Sequence, residues 1–130
     1  MRVLAFTFVL SLTACASQAQ DLSTIDSFLE AFQSAAATGD ADALGALVHD
    51  DGQFPHSYAD SVMVGGEWHD RVMATTAQDL NWGDEEYADY WITLWEYVEE
   101  HEGEEYESNI SCEVTLVEGA YRINQCVAAG

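Results

Sequence analysis

A chain of 130 residues, 48% hydrophobic and 12% aromatic, can build one packed core but not a multidomain enzyme or a long repeat array. Its 24 Asp and Glu stand against three Arg and no Lys, a formal charge of −21. Neutralising phosphates takes Lys and Arg, so nucleic acid is excluded as a partner. A basic patch on an anionic membrane is excluded on the same ground.

The first residues differ from the rest. Arg2 precedes an apolar run from Val3 to Leu12, the length of a signal-peptide core and too short to span a bilayer. No acid occurs before Asp21. Two processing patterns coexist. Leu12-Thr13-Ala14-Cys15 resembles a bacterial lipobox, with Cys15 as the lipidated residue, whereas Ala14-Cys15-Ala16 and Ser17-Gln18-Ala19 suit ordinary signal-peptidase cleavage. Both imply export, to the periplasm or outside the cell. The expected organisation is a signal peptide over 1–19 and a single domain over 20–130. The mature chain is expected to have no transmembrane span and to reach a membrane only through a lipid on Cys15. Two cysteines then remain, Cys112 and Cys126, and an oxidising compartment favours a bridge between them. Neither belongs to a Cys-x-x-Cys pair, which leaves thioredoxin-like chemistry and zinc knuckles without support.

Past the leader, all 24 acids face only Arg71 and Arg122, and eleven of them fall between Asp84 and Glu107. Self-repulsion of this size is relieved by salt, which suggests adaptation to a saline medium. A cation- or Ca²⁺-binding surface is the alternative, although no EF-hand spacing is present.

A first helix is expected from Ser23 as N-cap, with Asp26 as its box partner and Ile25, Phe28, Leu29, Phe32 and Ala36 on one stripe. Gly39 ends it. Asp40 caps a second helix through Ala43, Leu44, Leu47 and Val48. Phe54 to Val64 reads as extended, because Pro55 cannot lie inside a helix. Asp70 is the expected cap of a third helix through Val72, Met73, Thr76 and Leu80. The stretch 84–101 fits both a helical stripe and a strand. A helix would crowd Glu96, Glu99, Glu100 and Glu102 at its negative end, which favours a strand from about Tyr90 to Glu99. His101 to Glu104 reads as a hairpin loop. Alternation from Tyr106 to Val117 marks the next strand, and Glu118-Gly119 turns into a last one through Tyr121, Ile123 and Val127. A two-residue turn would put Cys112 opposite Gln125, so the bridge needs a longer loop or a bulge near Asn124.

This order, with Gly39-Asp40-Ala41-Asp42-Ala43-Leu44 between the first helices and Glu118-Gly119-Ala120-Tyr121-Arg122-Ile123 near the end, resembles the nuclear transport factor two-like superfamily, which includes SnoaL-like and ketosteroid-isomerase-like proteins. The resemblance covers most of residues 22–127. It implies an α+β fold in which a curved antiparallel sheet forms a cone packed against two or three N-terminal helices, with a pocket at the open end.

An isomerase of that kind needs a carboxylate base in an apolar pocket and a proton donor facing it. The catalytic candidates are His56, Tyr58, Asp60, His69 and Asp70, none fixed by a motif. Trp82, Trp91 and Trp95 are candidate walls of a pocket for a small apolar ligand. His49, Asp50, Asp51 and His56 have metal-ligand composition without converging spacing, so no metal and no cofactor is expected. The resulting expectation is an exported binding or accessory module without catalysis of its own, able to form a homodimer. The alternatives are a pocket enzyme of isomerase or cyclase type and an acidic-surface Ca²⁺ binder.

Overall fold

The computed structural model describes residues 21–82 and 89–130. The expected leader with Cys15, residues 84–88 of the acidic stretch and the Trp82 side chain lie outside what is described.

Helix α1 spans Ile25–Thr38. Its cap is Thr24 rather than Ser23, because the Ser23 backbone N–H and hydroxyl both engage Asp21. The Thr24 hydroxyl accepts from the Ser27 N–H at 3.1 Å, and Ser27 Oγ accepts from the Thr24 N–H, a reciprocal box worth about 1 kcal/mol. Phe28, Leu29, Phe32, Ala35 and Ala36 form its buried stripe. Gly39 takes the left-handed φ of 65° that closes the helix. Asp40 then caps α2, Ala41–Gly45, through the Ala43 N–H at 3.0 Å.

The extended reading of 54–64 is corrected by α3, His56–Val62. Pro55, with φ −58°, stands at its N-cap, where a missing N–H costs nothing. Tyr58, Ala59, Val62 and Met63 meet the core from this helix. The third expected helix is shorter than its pattern. Helix α4 covers His69–Ala74, and a 3₁₀ turn follows over Ala77–Asp79. The break has polar causes. Gln33 Nε2 donates to the Val72 and Thr75 carbonyls at 3.0 and 2.7 Å, and Asp79 Oδ2 accepts from both Thr76 N and Oγ1. Asp70 therefore sits inside the first turn instead of capping it.

The rest is sheet. A two-residue strand β1, Asn81–Trp82, borders β2, Tyr90–His101. Strands β3, Glu104–Val117, and β4, Ala120–Ala129, complete an antiparallel meander in the order β1-β2-β3-β4. The molecule is thus α+β, with four helices among the described residues in front of a curved sheet that does not close. Like-charge crowding decides the ambiguous stretch, since β2 spreads its glutamates along a ladder instead of stacking them at a helix end.

Two irregularities shape the sheet. On β2, Thr93 faces Ser111 and Trp95 faces Ile110, so Leu94 is an extra residue. On β4, Ile123 faces Val114 and Gln125 faces Glu113, so Asn124 is another. The second bulge lets Cys126 stand opposite Cys112, and the two are bonded. The core gathers Phe28, Phe32, Leu44, Leu47, Ile92, Leu94, Val114 and Ile123, all fully buried.

The outer edge of β4 is laced by irregular backbone. Tyr121 N–H donates to the Leu22 carbonyl and Ile123 N–H to that of Leu47. His49 and Gln53 N–H groups donate to the Ile123 and Asn124 carbonyls, all between 2.8 and 2.9 Å. Gly52 permits this approach, since a Cβ there would lie 2.8 Å from the Ile123 oxygen.

The bridge spans 14 residues, so replacing Cys112 and Cys126 together by Ala is expected to cost about 3 kcal/mol on the chain-entropy model. Thermal melting followed by circular dichroism measures this, and an unchanged midpoint would contradict the bridge.

Candidate functional site

The catalytic candidates lie on α3 and α4. His56, Asp60 and Asp70 are exposed. His69 is half-buried, and its Nδ1 donates to the Val62 carbonyl at 2.9 Å, tying α4 back to α3. Tyr58 is the one candidate within the apolar interior, where its neighbours are rings.

Those rings form a continuous chain. Phe28 and Phe32 stack at 6.0 Å, Phe32 meets Phe54 edge-on at 6.4 Å, Phe54 meets Tyr58 at 6.4 Å, and Tyr58 meets Trp68 at 5.2 Å. Each such contact contributes about 0.5–1.5 kcal/mol beyond burial. The chain runs from α1 across Phe54 to α3 and on to Trp68, just before α4, and occupies the middle of the helical layer.

Of the three candidate wall residues, the Trp82 side chain is not described, and Trp91 and Trp95 do not share a face. Trp91 pairs with Glu113 and Trp95 with Ile110, positions on opposite faces of uninterrupted β3. The Leu94 bulge therefore separates two residues that a helical or a regular strand spacing would put together. Trp91 lines an open hollow on the face turned away from the helices, with Thr93, Asn109, Ser111 and Val127. Trp95 lies on the helix-facing side and stacks on Tyr97, centroids 6.1 Å apart.

Among the described residues one charged side chain is buried. Glu113, 7% exposed, points away from the helices, and its Oε2 accepts from Gln125 Nε2 at 3.0 Å and Asn124 Nδ2 at 3.3 Å. It is held by amides rather than aimed into an apolar cavity. Period-two alternation makes Glu113 an outward residue, and no sequence signal marks the two amides that cover it.

Two further hollows hold Arg71 and Arg122, the arginines among the described residues. Arg71 Nη2 pairs with Glu96 Oε2 at 3.1 Å, and its Nε donates to the Thr93 carbonyl at 3.3 Å, clamping α4 to the edge of β2. Arg122 lines a hollow of about 390 Å³ with His49, Asp50, Asp51 and Glu118. His49 Nε2 donates to the Thr115 carbonyl at 3.1 Å, while Arg122 Nε and Thr115 Oγ1 are buried with no hydrogen-bond partner among the described residues. Among the described residues no three His, Cys, Asp or Glu side chains converge on a metal position, so His49, Asp50, Asp51 and His56 do not assemble one. No described helix is long and apolar enough to cross a membrane.

No protein-family model matches this chain, and neither the curated proteins nor the solved structures contain a match.

Tyr121 offers a titration handle on the sheet's end. Burial raises its phenol above the ordinary 10.0, helped by Tyr90, whose ring lies 5.7 Å away, and by Asp89. The unfolded chain loses this proton first, so the stabilisation is complete below pH 10.0 and is lost as pH rises through the folded value. Melting temperatures measured across the alkaline range are expected to fall less steeply in Tyr121→Phe than in the parent.

Proposed function

We propose that the protein is an exported binding or accessory module without chemistry of its own, on a scaffold resembling the nuclear transport factor two-like superfamily. The family reading rests on the Gly39-Asp40 step and the closing Gly119-Ala120-Tyr121-Arg122-Ile123 strand. The leader over 1–19 carries the export reading, and the 24 acids suit a saline medium in which their repulsion is screened.

The observation that favours binding over catalysis is the chain of rings from Phe28 to Trp68. A ligand pocket in an isomerase of this kind needs open apolar space with a carboxylate inside it. Here the rings of Phe28, Phe32, Phe54, Tyr58 and Trp68 pack on one another, and Glu113, the buried carboxylate among the described residues, accepts from amides, which supports the binding reading. The polar hollows at Arg71 and Arg122 are open to solvent and offer no dry surroundings for a base.

Titration of the folded chain with a steroid-sized apolar ligand, followed by calorimetry, is expected to give no saturable complex. Saturable uptake that perturbs Tyr58 and Trp68 would overturn the reading and restore the pocket enzyme. For export, the intact mass of the protein recovered from a bacterial envelope is expected to lack the leader. Cleavage before Cys15 with added acyl mass identifies the lipid-anchored form, and cleavage after Ala16 or Ala19 the free one. A full-length mass would refute export.

A further inference from the structure

Strands β2 and β3 continue well past the helices that cover them. Every residue from Glu96 to Glu107 is exposed, so the end of this hairpin touches no core. At about 3.3 Å per residue the six residues from Glu96 to His101 reach roughly 20 Å. An isolated two-stranded ribbon is marginal in water, and this one stands only as an extension of the sheet.

Its composition is not that of a plain solvated arm. Tyr97, Val98 and Tyr106 are each about half exposed, at 50%, 49% and 53%. Register puts the aromatic ones together. Trp95 opposes Ile110, Tyr97 opposes Ser108, and Tyr106 opposes Glu99, all on the face that carries Cys112 and the core further down. The result is a strip of Trp95, Tyr97, Ile110 and Tyr106 running out beyond the helices. On the same face stand Glu99, His101 and Glu104, with Glu102 in the turn, while Glu96, Glu100, Glu105 and Glu107 line the opposite face; the arm has no Lys or Arg. Tyr106 donates its hydroxyl to Glu104 at 3.0 Å.

We infer that this strip docks a Lys- or Arg-rich polypeptide segment of about six residues. The inference rests on the binding-module reading and names the partner. Charge selects the occupant. A second copy would set its own arm glutamates against these, and an anionic surface would be repelled for the same reason. Guanidinium and ammonium groups lie well over the exposed Tyr97 and Tyr106 rings and the half-buried Trp95, and flanking carboxylates then complete their hydrogen bonding. The strip is an open ribbon, not a cup, so it suits an extended chain rather than a compact small molecule.

The experiment is an amide NMR titration of the folded, oxidised chain with hexa-arginine and with hexa-threonine, in dilute buffer and in molar NaCl. Saturable shifts confined to residues 95–107 with hexa-arginine are expected, weakening with salt. Tyr97→Ser with Tyr106→Ser, at exposed positions that the fold does not need, is expected to weaken binding roughly tenfold. Glu99→Gln with Glu104→Gln, the two strand carboxylates on the strip's face, is expected to do the same. Glu30→Gln with Asp60→Asn, an equal charge change on α1 and α3, is expected to leave it unaltered. Equal weakening by both charge pairs would mean diffuse attraction and overturn the inference. Equal binding of hexa-threonine would remove the cationic partner yet keep the binding module. If neither peptide shifts the arm while an apolar ligand saturates the helical layer, both readings fall.

Discussion

On the helix side of the sheet, Ile92, Leu94, Cys112, Val114 and Ile123 join Phe28, Phe32, Leu44 and Leu47 in one cluster with no exposed surface. At about 1.5–3 kcal/mol for each large side chain removed from water, this contact is the main force opposing a charge of −21. Its position decides the rest. The helices reach only the half of the sheet where these residues lie, and the carboxylates must stay wet. The acid-rich end of β2 and β3 is therefore left outside, joined to the rest by its own backbone ladder and, at its base, by the Arg71–Glu96 pair. The Cys112–Cys126 bond staples β3 to β4 on the helix-facing side, beside Val114 and Ile123.

The few cationic groups are placed for geometry more than for energy. An exposed pair such as Arg71–Glu96 contributes at most about 1 kcal/mol. Its use lies in the edge it covers. Strand β1 protects β2 only at Tyr90 and Trp91, and the Arg71 Nε reaches the next exposed carbonyl, that of Thr93. On the far side the chain from Leu47 to Gln53, together with Leu22, does for β4 what Arg71 does for β2. Both edges are thus blunted near the core, and the glutamates guard the arm beyond it.

Much of the fold is legible in the sequence because local rules act without competition there. Gly39 and Asp40 announce a helix end and a helix start, and the structure has both. The parity of Cys112 and Cys126 demands an extra residue near Asn124, and a bulge stands there. Other signals are legible only in part. Pro55 forbids a helix interior but permits a helix start, and the rings of Phe54 and Tyr58 decide in favour of the latter through partners on α1 and beside α4. The Leu94 bulge carries no signature of its own, so Trp91 and Trp95 read as neighbours and lie on opposite faces. Glu113 depends on amides that come into reach only once β4 has folded back. Candidate site residues are the least legible, because acids are so frequent that their spacing carries little information.

The two bulges turn chain length into a fixed quantity at two points. Between Ile123 and Cys126, and between Thr93 and Trp95, removal of one residue would invert the inward and outward identity of everything beyond it. The thiols would part in the first case, and the aromatic strip would exchange places with Val98 and its glutamates in the second. The turns at Glu102-Gly103 and Glu118-Gly119 carry no such constraint from the core. Divergent copies of this gene should therefore vary in length at the hairpin tips and keep an invariant residue count through both kinks, whatever side chains they place there.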